Sequence, residues 1–404
     1  MPSSLCSKTI LLGVTGSIAA YKAADLASKL TQAGAKVDVL LTQSALQFIT
    51  PLTFQSVTGR RVYTDSDLWG GEAHIVHVSM GQGADILAIA PCTANTLAKL
   101  AHGIADNLLT VTALAARCPL LIAPAMDGGM FAHPATQANL ELLRRRGAII
   151  VGPAEGRMAS GLVGLGRMVE PLELLGHLRL ILAQNGPLEG RKIIVTAGGT
   201  QEPMDAVRVI ANRSSGKQGF ALAQAALDLG AEVTLIAAPT SLPTPIGARR
   251  VDVLTAAEMQ AAVIEVIPRA DVLLMAAAVA DFRPISPAGD KLKKAEGIPE
   301  IRLEYTPDIL EAVAEIKDRL GFPRLTVGFA AESRDLLANA QAKLRAKRVD
   351  LIVANDISAT DAGFAVDTNR VVLLDAGGGQ ESLPLMSKAE VAERVLARVV
   401  GMLA

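Results

Sequence analysis

Hydroxyl, amide and glycine residues recur in this chain where an apolar run ends. Gly16 and Ser17 follow "TILLGV", Thr42 follows Val37–Leu41, and Thr93 and Asn95 follow Ile86–Ala90. Backbone N–H groups at the start of a helix, with a hydroxyl beside them, can hold a phosphate. One such turn is weak evidence, because strand-to-helix turns use Gly and Ser for geometry alone. Three of them converging on one crevice carry more weight. Further on, "VTAGGTQEPMDAVRVIANRSSGKQGFALAQAA" (195–226) reads as a long turn rich in hydroxyls, Gly and Asn. Loops of that length are often functional. "AAAVADFRP" (276–284) and "DKLKK" (290–294) follow the next apolar run. Three lysines so close together are either a solvated face or a holder of a triphosphate. Finally, "ASGLVGLGRM" (159–168) places Gly161, Gly164 and Gly166 behind Ser160. That spacing is not the dinucleotide fingerprint, and the stretch lies on the way out of a domain.

The elements that must position these residues are legible as alternation. Strand-length apolar runs occur at Thr9–Val14, Val37–Leu41, Ile86–Ala90, Leu120–Ala123 and Ile149–Val151. Helical patterns such as "SIAAYKAADLASKLTQAG" lie between them and end on a glycine. An amphipathic stretch (170–184) closes this half, and "NGPLEG" (185–190) breaks the pattern. The alternation then restarts with "KIIVTAGGT", "EVTLIAAP", "DVLLMAAAVAD", "LTVGFAAE", "DLIVAND" and "RVVLLD". The expected fold is α/β, with two tandem doubly wound Rossmann-like domains over 1–188 and 189–404. Ligands on such sheets sit at the C-terminal ends of the strands, where the strand order reverses.

Composition narrows the class. The chain has 404 residues, 50% hydrophobic but only 3% aromatic, which suits buried parallel strands packed by Ala-rich helices. The net charge of −1, with no block of like charge, argues against nucleic acid and membrane as partners. Cys6, Cys92 and Cys118 form no framework, which points to a reducing cytoplasm. Ile10–Val14 is short for a signal core and "VLLMAAAVA" (272–280) is about half a membrane span, so a soluble protein is expected.

"GVTGSIAAYKAADL", "IAPCTANTLAKLAHGIADNLLT", "APAMDGGMFAHPAT" and "GRMASGLVGLGRM" resemble, in order, the FMN-dependent cysteine decarboxylases. The second half resembles phosphopantothenate–cysteine ligase equally well. Together the chain is similar to the bifunctional decarboxylase–ligases of coenzyme A biosynthesis. For the first half the resemblance implies FMN held by Gly16, Ser17, Thr42, Thr93, Asn95 and Met126. It also implies an active-site histidine: His77, eight residues before Asp85, and not His74. His102, His133 and His177 are read as surface or satisfied residues. The implied reaction oxidises a C-terminal cysteine residue to a thioaldehyde, releases carbon dioxide, and reduces the enethiol to 4'-phosphopantetheine. The Gly-rich stretch would be a flap over the substrate. Two positions depart from the family: Ser160 stands where a cysteine protonates the enethiol, and Asp127 where an asparagine binds the substrate carboxylate. An ionised Asp127 about 4 Å from that carboxylate would cost roughly 4 kcal/mol at an effective dielectric near 20, so the role requires a protonated acid in the complex.

For the second half the resemblance implies CTP-dependent activation of 4'-phosphopantothenate as an acyl-cytidylate, from which L-cysteine displaces CMP, with Mg²⁺ neutralising the phosphates. It assigns Arg208 and Asn212 to the catalytic region and Lys291 to the triphosphate. CTP contacts would come from Ala276, Ala277, Ala278, Asp281, Pro307, Asp308, Ile309, Leu310, Phe329, Lys343 and Lys347. The metal ligands are not assigned. Related flavin domains imply a homo-oligomer, trimer-based or dodecameric. The alternative is a ligase whose N-terminal half is a non-catalytic flavin-binding or oligomerisation domain.

Overall fold

The computed structural model describes residues 4–68, 73–157, 161, 163–294, 297–332, 335–356 and 366–403. They form two compact units, 2–182 and 183–404. Ser160 lies outside the described residues.

The first unit runs β1 (Thr9–Val14), α1 (Ala20–Gln32), β2 (Lys36–Leu41), α2 (Pro51–Thr58), β3 (Val62–Thr64), α3 (Ala73–Gly83), β4 (Ile86–Cys92), α4 (Ala94–His102) and α5 (Leu108–Ala115). It continues through β5 (Leu120–Pro124), α6 (Gly128–Ala132), α7 (Pro134–Arg145), β6 (Ile149–Ile150), β7 (Ala154–Arg157), β8 (Val163–Arg167) and α8 (Pro171–Leu182). Six strands form one sheet in the order β3-β2-β1-β4-β5-β6, with every pairing parallel. Alternate residues of each strand feed opposite cores, as the period-2 geometry of strands requires. Ile10, Leu12 and Val14 pack with α1 and α8 on one side, and Leu11, Leu87 and Ile89 pack with α4, α5 and α7 on the other. The strand order reverses between β1 and β4. The short edge strand β3 has three residues, too few for an apolar period to be read from the sequence.

The second unit contains β9 (Lys192–Ala197), β10 (Gln201–Pro203), β11 (Val209–Ala211), α9 (Lys217–Asp228), β12 (Glu232–Ala237), β13 (Arg249–Asp252), α10 (Ala256–Val266) and β14 (Val272–Met275). Then come β15 (Phe282–Pro284), β16 (Leu303–Tyr305), α11 (Ile309–Leu320), β17 (Leu325–Glu332), α12 (Leu336–Ala346) and β18 (Leu351–Asp356). The unit ends with β19 (Thr368–Asn369), β20 (Val371–Asp375), β21 (Gln380–Ser382), β22 (Met386–Ser387) and α13 (Lys388–Leu403). Its sheet has the order β13-β12-β9-β14-β17-β18-β20-β21. The first six repeat the order of the first unit, so the reversal falls between β9 and β14. The apolar run "RVVLLD" is the exception to the parallel reading: β20 pairs antiparallel with β18.

The long turn after β9 is not structureless. It folds as the β10–β11 hairpin before reaching α9. The Pro/Gly stretch 185–190 is also packed rather than slack. Leu188 is buried and donates its N–H to the Leu229 carbonyl, and a Cβ on Gly186 would lie 2.3 Å from that same oxygen. No helix among the described residues is long and apolar enough to cross a membrane.

Candidate active sites at the two strand-order reversals

In the first unit the ends of β1 and β4 are clamped together. Thr15 donates its hydroxyl to the Pro91 carbonyl at 2.8 Å and accepts the Thr93 N–H at 3.1 Å. Thr93 is the N-cap of α4, its hydroxyl accepting from the Thr96 N–H, and Asn95 is exposed in the first turn. Gly16 has no room for a side chain, because a Cβ there would lie 2.5 Å from Ser44 Cβ. Ser17 Oγ accepts the Ala19 N–H at the entrance to α1. Thr42 is buried after β2 and holds the Ala45 N–H. Met126, after β5, donates its N–H to the Gly166 carbonyl and so ties the β7–β8 hairpin to the same sheet edge. All six residues expected to hold the flavin therefore lie at C-terminal strand ends.

Around this edge several large apolar side chains are exposed: Ile18, Tyr21 and Phe48 after β1 and β2, and Val163 and Leu165 on the hairpin. The hairpin's exit is fixed by Lys22, whose buried ammonium donates to the Met168 carbonyl at 2.9 Å and to Glu170 at 2.8 Å. His77 sits in the first half of α3. Because α3 runs back to feed β4, its start lies toward the C-terminal edge of the sheet. His77 Nδ1 is buried with no hydrogen-bond partner among the described residues. Such an atom normally finds a partner, so a bound molecule is its natural complement. The other described imidazoles behave otherwise. His102 meets Asn139 and His133 caps α7 with Nδ1, while half-buried His177 is shifted toward its neutral form by burial, against the charge of Glu173. Asp127 is the N-cap of α6, accepting the Gly129 N–H at 2.9 Å.

In the second unit the reversal opens into a cavity of about 620 Å³. Thr196 at the end of β9 accepts the Ala277 N–H, Ala278 donates to Gly198, and Gly199 bridges Ala278, so the two strand ends form one wall. Asn212 donates to the carbonyls of Val279 (2.9 Å) and Ala278 (3.4 Å). Asp308 caps α11 and forms an ion pair with Lys347 of α12. Burial alone would raise the Asp308 carboxyl, but Lys347 and the N–H groups of Glu311 and Leu310 hold it below the usual aspartate value. Asn212, Ala276, Ala277, Ala278, Asp281, Pro307, Asp308, Ile309, Leu310, Phe329, Lys343 and Lys347 all line this one cavity.

Two expected residues lie elsewhere. Lys291 is exposed and is absent from the cavity wall, as is Arg208. The segments that carry them are joined through Asp205, whose side chain is fully buried. Asp205 accepts N–H groups of Val207, Arg208 and Leu292 and the Arg208 guanidinium at 2.7 Å.

Residues 2–179 match the family described as Flavoprotein, and residues 188–402 match the DNA/pantothenate metabolism flavoprotein C-terminal domain. Over 401 residues the chain is 44% identical to the coenzyme A biosynthesis bifunctional protein CoaBC of Bacillus subtilis, covering 98% of both chains. It is 45% identical to the protein of that name from Mycobacterium tuberculosis over 409 residues, covering 98% of this chain and 97% of the other. The chain belongs to the coenzyme A biosynthesis bifunctional protein family. Among solved structures, the C-terminal domain of such a protein is 39% identical over 54% of this chain and 98% of its own, with a TM-score of 0.46. A PPC decarboxylase mutant complexed with pantothenoylaminoethenethiol is 38% identical over 43% and 97%, with a TM-score of 0.40.

As a member of this family the chain is a two-activity enzyme of coenzyme A biosynthesis, an FMN-dependent decarboxylase joined to a ligase. The reading of its first half as a non-catalytic domain is not favoured. The first unit's residues fit FMN: a glycine-only turn, helix starts at the β1 and β4 ends, and an orphaned imidazole nitrogen. In the second unit, sequence reasoning missed Lys217, Asn355, Asn369 and Lys388, which also line the cavity. Lys217 was visible in "SSGKQG", directly at a helix start. Lys388 and Asn369 carried no local signal, because they come from the far end of the chain.

Proposed function

We propose that the second unit activates 4'-phosphopantothenate with CTP and that L-cysteine displaces CMP from the acyl-cytidylate. The observation that carries this reading is the convergence of twelve separately expected residues on one cavity at the strand-order reversal. The Ala276–Ala278 backbone and Phe329 receive the nucleoside, and Lys343 and Lys347 take the phosphates, Lys347 exchanging Asp308 for them. Asn212, its Nδ2 held by two carbonyls, positions the acyl group through its Oδ1. Developing negative charge is stabilised by donors already in place, which is where such sites gain most of their rate. Arg208 and Lys291 act from the rim, on segments held to one another by Asp205. Among the described residues no group of three or more His, Cys, Asp or Glu could hold a metal. Mg²⁺ bound to the nucleotide phosphates would be held by the carboxylates of Asp281 and Asp308 and would neutralise phosphate charge.

In the first unit, bound FMN supplies the hydride acceptor for oxidation of the cysteinyl residue. The chain's own residues do the rest. Gly16, Ser17 and Thr93 cradle the phosphate, His77 faces the reacting cysteine with its partnerless nitrogen, and Ser160 relays a proton. Asp127 serves the substrate carboxylate while capping α6; Asn caps equally well, so Asp127→Asn keeps α6 and should raise kcat/KM for decarboxylation. The exposed apolar residues of this edge are covered by further copies in a trimer-based oligomer. The test is the FMN-loaded protein with CTP, 4'-phosphopantothenate and cysteine. Pyrophosphate, CMP, carbon dioxide and 4'-phosphopantetheine should form in equal amounts. Orthophosphate in place of pyrophosphate would overturn the acyl-cytidylate, and amide without carbon dioxide would overturn the decarboxylase assignment.

A further inference from the structure

Asp205 sits in the turn between β10 and β11, outside the wall of the ligase cavity. Its side chain is 0% exposed, and burying a carboxylate is costly unless its oxygens are met by donors. Here both oxygens are met, and they divide the work. Oδ1 accepts the N–H groups of Val207 (2.8 Å) and Arg208 (2.7 Å), which shapes the turn. Oδ2 accepts Arg208 Nη1 at 2.7 Å and, from a segment 87 residues further on, the Leu292 N–H at 3.2 Å. Burial resists ionisation, but these N–H groups and the guanidinium hold the carboxyl below the usual aspartate value. It is therefore an anion at neutral pH.

Two more bonds tie the same segments together. Ala288 donates its N–H to the Met204 carbonyl at 2.9 Å, and Arg208 Nη1 also reaches the Leu292 carbonyl at 3.1 Å. The 288–292 segment lies outside any helix or strand, so these bonds are what fix it to the hairpin turn. Arg208 spends only Nη1 on them. Its Nε and Nη2 have no partner among the described residues, on a side chain that is 46% exposed. Lys291, beside Leu292, is exposed as well. Both cations thus hang from one buried carboxylate.

We propose that Asp205 is a positioning residue of the ligase, locking the two segments so that Arg208 and Lys291 meet the reacting nucleotide at a fixed spacing. This rests on the ligase reading above. Cations that stabilise developing charge act by being in place beforehand, and a displacement of about 1 Å can cost on the order of a hundredfold in rate. In that reading CTP is held by cavity residues that do not include Asp205. Loss of the lock therefore falls on turnover and not on affinity.

Asp205→Asn breaks the lock and spares the turn. The amide oxygen keeps the Val207 and Arg208 N–H groups, while the amide nitrogen faces two donors, the Leu292 N–H and Arg208 Nη1. In the full-length FMN-bound protein, kcat for pyrophosphate release with CTP, 4'-phosphopantothenate and cysteine should fall about ten- to a hundredfold. CTP affinity by calorimetry should stay within about threefold of wild type. Leu292→Pro removes the bonded N–H from the other side, on an irregular segment; it should give a similar loss, and it carries the test should Asp205→Asn not fold. Combined with Lys291→Ala, either change should cost less than the product of the separate losses, because the lysine is already out of place. Wild-type kcat in both Asp205→Asn and Leu292→Pro, losses that multiply with Lys291→Ala, or a fall in CTP affinity matching the fall in kcat would each overturn the lock. No pyrophosphate from the wild-type protein would instead overturn the ligase reading on which it rests.

Discussion

The two units use one strand order for two kinds of site. In each, the sheet reverses beside its first strand, β1 next to β4 and β9 next to β14, and the candidate site residues lie where those strands end. The second unit closes that position with its own residues into a cavity of about 620 Å³. The first presents a glycine-only turn, a partnerless imidazole nitrogen and exposed apolar side chains such as Tyr21 and Val163. A fold supplies the position of a site, while side chains decide whether the chain completes it or leaves it to a cofactor. In the ligase half, charged side chains paired among themselves await a charged substrate. In the decarboxylase half, a glycine-only turn and helix starts beside an apolar edge await a flat cofactor with a phosphate tail.

The widest separation between the units should come from His77→Asn. If the partnerless His77 nitrogen takes a proton from the reacting cysteine, its loss costs about 10²–10⁴-fold, so carbon dioxide release should fall by that factor while pyrophosphate release stays at the wild-type rate. The reverse pattern should follow Asn212→Ala, with about 10²–10³-fold lost from pyrophosphate release and flavin binding intact. A fall of both activities in either variant would mean that the two sites are not separate.

Gly16→Ala should have a smaller effect. The added methyl meets Ser44 at 2.5 Å, and relieving such a contact typically costs about 1–3 kcal/mol. The β1 turn must shift, so FMN should dissociate roughly ten- to a hundredfold more readily, read by fluorescence of released flavin. Unchanged retention would remove this turn from the cofactor site.

The smallest expected difference concerns acid. Asp67 and Asp85 in the first unit, and Asp205, Asp308 and Asp375 in the second, are held below the usual aspartate value by N–H donors and by Arg or Lys neighbours, against burial. A depressed folded value stabilises above the unfolded value near ~3.9 and is lost as pH falls through the folded one. The second unit has more such carboxylates, two of them on segments that carry its site. Between about pH 4 and 2 ligase structure should be lost before flavin-site structure, as followed by tryptophan-independent far-UV dichroism beside flavin fluorescence. Flavin release preceding that loss would contradict the ranking.

Much of this was readable from residues alone because strand ends announce themselves. Thr15–Ser17, Thr93 and Ala276–Ala278 each follow an apolar run of strand length, and a parallel sheet brings such points to one edge whatever the loops do. The Gly-rich stretch was read as a flap, and its pairing as the β7–β8 hairpin was not. What stayed hidden depends on long-range partners. Lys388 and Asn369 reach the cavity only because α13 packs against α9, and Arg208 meets Leu292 directly across 84 residues while Asp205 accepts the Leu292 N–H. Short edge strands such as β3 and β13 have too few residues for a period to show.

The central claim is that the two halves of the chain carry separate active sites that share only a diffusing product. It is tested most directly by mixing two full-length proteins, His77→Asn and Asn212→Ala, with CTP, 4'-phosphopantothenate, cysteine and FMN, and measuring 4'-phosphopantetheine. Neither protein alone should make it. The mixture should, at a rate approaching that of the wild type at equal concentration. A mixture that stays silent, although each variant retains its own half-reaction, would contradict the account.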